Sequence, residues 1–157
     1  MTAITVIEQK AVASASQCEV LTFYVGSEQY GIDILAVQEI RHYEQPTRIA
    51  NSSLRLLGVM NLRGIIMPVV DLRRMLNRPD DKGSTTVTIV VNVTGRTVGL
   101  VVDAVSEVVA LDRGQIHARP CTAGQATSEF IVGLAQASES DGALLQLMDL
   151  GILLRDL

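Results

Sequence analysis

At 157 residues the chain fits one domain, or two small subdomains sharing a boundary. With 48% apolar and 19% charged residues it has material for a core, which argues against global disorder. The formal charge of −4 argues against a protein built to grip nucleic-acid phosphates or an anionic membrane surface.

Residues 1–17 lack a charged region followed by an apolar one, so no secretory leader is expected, and residues 1–18 read as a flexible tail. No apolar run approaches the ~18 residues that a membrane span needs. Two cysteines without C-x-x-C spacing, Cys18 and Cys121, read as free thiols in a reducing cytoplasm.

Order is expected from about Glu19. Residues 20–25 form a β-rich run with Leu21, Phe23 and Val25 on one face and Val20, Thr22 and Tyr24 on the other. Gly26-Ser27-Glu28 stops it, and residues 29–32 read as a second strand. Residues 34–40 suit a helical turn leading into a strand; residues 42–53, with Pro46, suit a loop. Residues 58–62 and 65–70 flank Arg63-Gly64 and read as a hairpin. Pro68 cannot donate to a ladder, which places it at an edge or bulge. Asp71 suits the N-cap of a short helix over 72–76. Residues 77–84 are polar, with Pro79 and Gly83, and mark the best boundary.

The pattern then restarts. Residues 86–93 and 97–102 read as strands around the Thr94-Gly95 turn, and 104–110 as a third. Residues 111–128 read as a long loop. Residues 130–137 and 143–148 read as a hairpin, and Asp149 as the cap of a C-terminal helix over about 149–157.

The restart is a repeat. Tyr30-Gly31-Ile32 through Ala36-Val37-Gln38-Glu39-Ile40 matches Val98-Gly99-Leu100 through Ala104-Val105-Ser106-Glu107-Val108. The stretch from Gly64 to Leu72 matches that from Gly142 to Leu150, each reaching an Asp that caps a helical turn. Two copies of a five-stranded unit suggest two small closed barrels in tandem, about 19–80 and 84–148, with a groove between them.

Catalytic signatures are absent. No phosphate-binding glycine loop, H-E-x-x-H or G-x-S-x-G occurs. His42 and His117 are expected in loops of different halves as solvated side chains. Cys121 has no cationic neighbour in sequence to activate it.

The segment from Gly31 to Arg41 and the segment from Gly58 to Arg73, containing Asn61-Leu62-Arg63-Gly64, strongly resemble the CheW chemotaxis coupling family. Thr47-Arg48-Ile49-Ala50-Asn51 and the segment from Val98 to Val108 fit as well. The resemblance runs from about Glu19 to the end. It implies a mainly β fold of two tandem five-stranded SH3-like barrels with short helices. It implies a non-catalytic adaptor, without cofactor or metal, that joins the cytoplasmic tips of methyl-accepting chemotaxis receptors to the regulatory domain of the histidine kinase CheA. It also implies recruitment to membranes only through receptors and leaves open self-association in array rings; the charge balance, not the resemblance, speaks against a nucleic-acid partner. The same fold occurs in CheA and CheV, which carry further domains.

Carried onto this chain, the resemblance points to Val37, Glu39, Ile40, Gly58, Arg63 and Val105 for the receptor. Arg63 at a hairpin tip is either a solvated turn residue or the partner of Glu39, whose carboxylate it can hold through two parallel hydrogen bonds. Val37 and Ile40 are either core or groove lining, with Val105 as the counterpart of Val37. Gly58 serves either a backbone need or close approach of a partner. Ile66 and Met67 are candidates for the kinase contact, whichever of them points outward.

Overall fold

The computed structural model describes residues 17–50, 56–76, 85–118, 129–136 and 144–155. Residues 1–16 of the expected tail, the 77–84 connector, the part of the long loop from 119 to 128 that holds Cys121, the 138–142 turn and Leu157 fall outside these. Chain order is β1 (Gln17–Val25), β2 (Glu28–Asp33), a 3-10 turn (Ile34–Ala36), β3 (Val37–His42), β4 (Leu56–Leu62), β5 (Ile65–Asp71) and α1 (Leu72–Met75). Then follow β6 (Val87–Val93), β7 (Arg96–Val102), β8 (Ala104–Asp112), a 3-10 turn (Arg113–Gln115), β9 (His117–Ala118), β10 (Ile131–Gln136), β11 (Leu144–Met148) and α2 (Leu150–Leu153).

The hairpin turns follow their sequence signals. Arg63 and Gly64 lie at φ 53° and 86°, Thr94 and Gly95 at 51° and 82°, both residues of each turn left-handed. That is the turn whose twist matches two antiparallel strands. In each case the preceding Asn stabilises it: Asn61 Oδ1 accepts from Gly64 N at 2.8 Å and Asn92 Oδ1 from Gly95 N at 3.2 Å. Asp71 and Asp149 cap α1 and α2, accepting from Arg73 N and Ile152 N.

Several boundaries depart from the sequence reading. β1 begins at Gln17, because it pairs with β8 as far as Asp112. His42 ends β3 and His117 opens β9, so neither lies in a loop. The C-terminal helix is a single turn, Leu150–Leu153, rather than 149–157. Pro68 lies in β5, an inner strand of its sheet. It is tolerated because the ladder to β7 starts only at Val69, beside a bulge in β4.

The fold is mainly β, in two sheets of six and five strands with few short helices, as expected. One sheet runs β8-β1-β2-β11-β10-β9 and the other β3-β6-β7-β5-β4. The first sheet takes β1 and β2 from the first half of the chain and β8–β11 from the second; the other takes β6 and β7 from the second half and β3–β5 from the first. The two orders are the same under the repeat. Leu147 lies opposite Gly31 in one parallel ladder and Val69 opposite Gly99 in the other. The halves have exchanged strands, so each sheet draws on both.

Each sheet closes by the same device. After β3, Thr47 pairs with Val59 of β4, with N–O distances of 2.9 and 2.8 Å. After β8, β9 pairs with β10. Three apolar clusters follow from this. Leu57, Leu62, Met67, Val69, Val90 and Val101 fill one barrel. Val20, Leu111, Ala135, Leu145 and Leu147 fill the other. The largest, including Leu21, Phe23, Ile32, Val37, Ile89, Val91 and Leu100, lies between them. The alternating faces of β1 match the sequence reading, except that Val20 and Thr22 are buried too. Buried apolar side chains thus occupy much of the space between the barrels where a groove was expected.

Candidate functional site

Glu39 projects from β3 and Arg63 from the β4–β5 turn, at opposite ends of the strand order; barrel closure brings them together. Arg63 Nη2 donates to Glu39 Oε2, and Arg41 Nη1 donates to Oε1 at 3.1 Å. Glu39 is 15% exposed and Arg63 69%. Burial pushes the Glu39 carboxyl up, but the hydrogen bonds and charges of Arg63 and Arg41 outweigh it and hold it below the ordinary carboxylate range. With Arg63 so exposed, the pair adds only about 0–1 kcal/mol to stability. Its effect is to fix a guanidinium on the rim, with exposed Ile65 and Ile66 just beyond it on β5.

Not every expected receptor residue reaches the surface. Val37 is fully buried in the central cluster and cannot line a groove. Gly58 is buried too, and its requirement is internal: a Cβ there would lie 2.4 Å from Thr47 O. It lets the closing segment approach β4, and Gly133 plays the same part opposite β9. Ile40 is half-buried beside Glu39. Val105 is half-buried but sits in the other barrel, on β8 opposite Phe23. Of the kinase pair, Ile66 is 65% exposed and Met67 fully buried inside its barrel, so Met67 is withdrawn as a contact. The strand's alternation decides between them.

Sequence reasoning missed a buried ionic cluster. Arg73 is fully buried and makes two parallel bonds to Asp71, Nε to Oδ1 and Nη2 to Oδ2, both 3.0 Å. Its Nη1 reaches Asp103 Oδ1 at 3.3 Å. Asp103 Oδ2 accepts from Gly26 N at 2.6 Å. The cluster ties α1, the β7–β8 corner and the β1–β2 turn, and so joins the two sheets. An arginine two residues past a capping aspartate was the available signal, but a charged residue on the first turn of a helix is normally exposed.

Among the described residues no group of three or more His, Cys, Asp or Glu is placed to hold a metal, and no helix is long and apolar enough to cross a membrane. Cys18 is half-buried, and burial and the nearby Asp33 charge push its thiol up against a smaller opposing pull from Arg113. That disfavours the reactive thiolate.

These features define a class: a duplicated all-β module with a rigid charged rim and exposed isoleucines. The comparisons are specific. The CheW-like domain family matches residues 19–157. The chain is 47% identical over 122 residues to a chemotaxis protein CheW of Klebsiella aerogenes, covering 77% of this chain and 74% of that one. It is 29% identical over 132 residues to a chemotaxis protein CheW of Bacillus subtilis, covering 83% of each. A crystal structure of the scaffolding protein TtCheW from Thermoanaerobacter tengcongensis matches with a TM-score of 0.74 and 30% identity, over 84% of this chain and 88% of that one. The chain belongs to the CheW family of chemotaxis coupling and scaffolding proteins.

Proposed function

We propose that this protein is a non-catalytic cytoplasmic adaptor, holding the tips of methyl-accepting chemotaxis receptors and the regulatory domain of CheA in one signalling complex. The observation that carries this reading is the Glu39–Arg63 pair. An arginine that contributes little to stability is held in one geometry on an exposed rim, by a carboxylate that is itself mostly buried. Such a group suits recognition of a partner more than support of the fold. Ile40 beside it supplies an apolar contact for a helical receptor tip, in the helix-in-groove manner. Ile66, exposed on the outer face of β5, supplies an apolar contact suited to a second protein, and we assign it to the kinase domain.

The test is direct binding by the full chain to a receptor fragment and to the kinase regulatory domain. Arg63→Glu places two carboxylates face to face and is expected to abolish receptor binding while leaving kinase-domain binding and thermal stability near wild type. Ile66→Asp is expected to do the reverse. Unchanged receptor affinity in the Arg63 variant sinks the assignment of the rim.

A further inference from the structure

The duplication places a comparison inside the molecule. Under the repeat, Glu39 of β3 has Glu107 of β8 as its counterpart, Arg41 has Val109, and Arg63 has Asp141. Both copies keep the glutamate; the two arginines occur together in one copy and are absent together from the other. Glu107 is exposed, and Val109 packs against the core of its barrel. Glu39 and Arg41, two residues apart on β3, share a face of the strand, and their side chains are 15% and 35% exposed. Arg63 takes Oε2 of the Glu39 carboxylate and Arg41 Nη1 takes Oε1 at 3.1 Å, so each oxygen has its own guanidinium. Arg41 is poorly served in return. Its Nη2 lies 4.0 Å from the exposed Glu44, and its Nε, among the described residues, is buried and meets no acceptor. A buried donor without a partner is a cost that an arginine kept for the fold alone is expected to avoid.

We propose that Arg41 is a positioning residue for the receptor rim: it holds the Glu39 carboxylate, and that carboxylate holds the Arg63 guanidinium in the one geometry a receptor meets. The proposal rests on the reading of Arg63 as a receptor contact, and it assigns no receptor contact to Arg41 itself. Without Arg41, the Glu39 carboxylate can turn about its last side-chain bond, which is a broad and soft torsion, and Arg63, 69% exposed at a hairpin tip, can swing away with it. With Arg41 in place, that rotation breaks a charge-assisted hydrogen bond. Charge acts in the same direction. One carboxylate between two guanidiniums leaves the cluster with a net positive charge, whereas the matching positions of the other copy, Glu107 and Asp141, are both acidic. One barrel thus carries a cationic rim set by a pair of arginines, and its twin does not.

The experiment is a double-variant cycle on the full chain, with Arg41→Gln, Arg63→Ala and both together, read by affinity for a receptor fragment. Arg41→Gln is expected to weaken receptor binding about tenfold, the size of one lost charge-assisted hydrogen bond, and to leave binding of the kinase regulatory domain unchanged. On the Arg63→Ala background the same change is expected to cost less than about twofold, because Arg41 acts through Arg63. The Glu39 titration midpoint gives a readout that support of the fold alone would not move. It should rise in Arg41→Gln, since burial still opposes the charge and one of the two arginines that outweighed it is gone. Should Arg41→Gln fail to fold, Arg41→Lys carries the cycle: it keeps the charge but not the planar fork, and a loss of about threefold is expected with Arg63 present and none without it. Where Arg63→Ala weakens receptor binding, an unchanged affinity in the folded Arg41 variant, losses that add across the two positions, or a Glu39 midpoint that does not rise in Arg41→Gln overturns the proposal and leaves the Arg63 rim standing. Unchanged affinity in Arg63→Ala overturns the rim itself, and the proposal with it.

Discussion

Replacing Arg73 with methionine is the sharpest perturbation of the fold. Arg73 and Asp71 are both fully buried, and their pair is bidentate at 3.0 Å. The methionine fills much of the same volume, so a cavity is not the main cost. What remains is a buried carboxylate with its helix-cap bond from the residue 73 amide but no counter-ion. Removing one partner of a buried pair costs about 3–5 kcal/mol. Asp103 also loses its 3.3 Å contact, but it is partly exposed and adds little. Against a total stability of about 5–15 kcal/mol, the loss is large. At roughly 2–4 °C per kcal/mol for a domain of this size, the melting temperature should fall by about 6–20 °C. Urea unfolding followed by circular dichroism measures it. The double variant Arg73→Met with Asp71→Asn, which removes the stranded charge and keeps a capping side chain, should recover at least half of the loss. A single-variant cost below about 1 kcal/mol, or no recovery in the double variant, would refute the reasoning, since breaking such a pair is expected to cost several times more.

Gly58→Ala should cost about 1–3 kcal/mol through overpacking against Thr47 O and weaken the two bonds between Thr47 and Val59, seen as faster amide exchange at both residues. Met67→Ala should cost about 2–5 kcal/mol and Ile66→Ala within about 0.5 kcal/mol, so matched denaturation curves separate the inward from the outward residue. The Glu39 carboxyl is held below its ordinary range, so its contribution is present above the unfolded-state value and is lost as pH falls through the lowered folded value. Glu39→Gln should flatten that part of the acid limb, and a carbon-detected titration of Glu39 should place its midpoint below that of an exposed glutamate; a higher midpoint contradicts the pairing with Arg63.

The hairpins, both left-handed turns and both aspartate caps were legible because each is a local matter of turn chemistry and alternation. The repeat was legible too, but not its consequence. Similarity between Gly31 and Gly99 says that the two occupy equivalent sites; it does not say whether each pairs with its own half. Strand exchange is a decision between equally apolar partners, Leu147 and Val69, and local pattern cannot make it. Ile66 and Met67 stood in a continuous apolar run, where period-two alternation carries no signal until pairing with β4 fixes the face. Val37 and Gly58 came from family resemblance, and the structure gives both an internal explanation. The Glu39–Arg63 pair also came from that resemblance, and it needed barrel closure to become a contact. Arg73 was missed because a charged residue on a first helical turn is normally exposed.

The central claim is that this chain couples two other proteins and performs no chemistry of its own. Reconstitution tests it most directly: a receptor fragment and CheA are mixed with and without the full chain, and kinase autophosphorylation is measured. The account predicts receptor-dependent autophosphorylation that requires the wild-type chain and is absent with Arg63→Glu. Equal autophosphorylation with wild type, with the Arg63 variant and with no adaptor at all would contradict it.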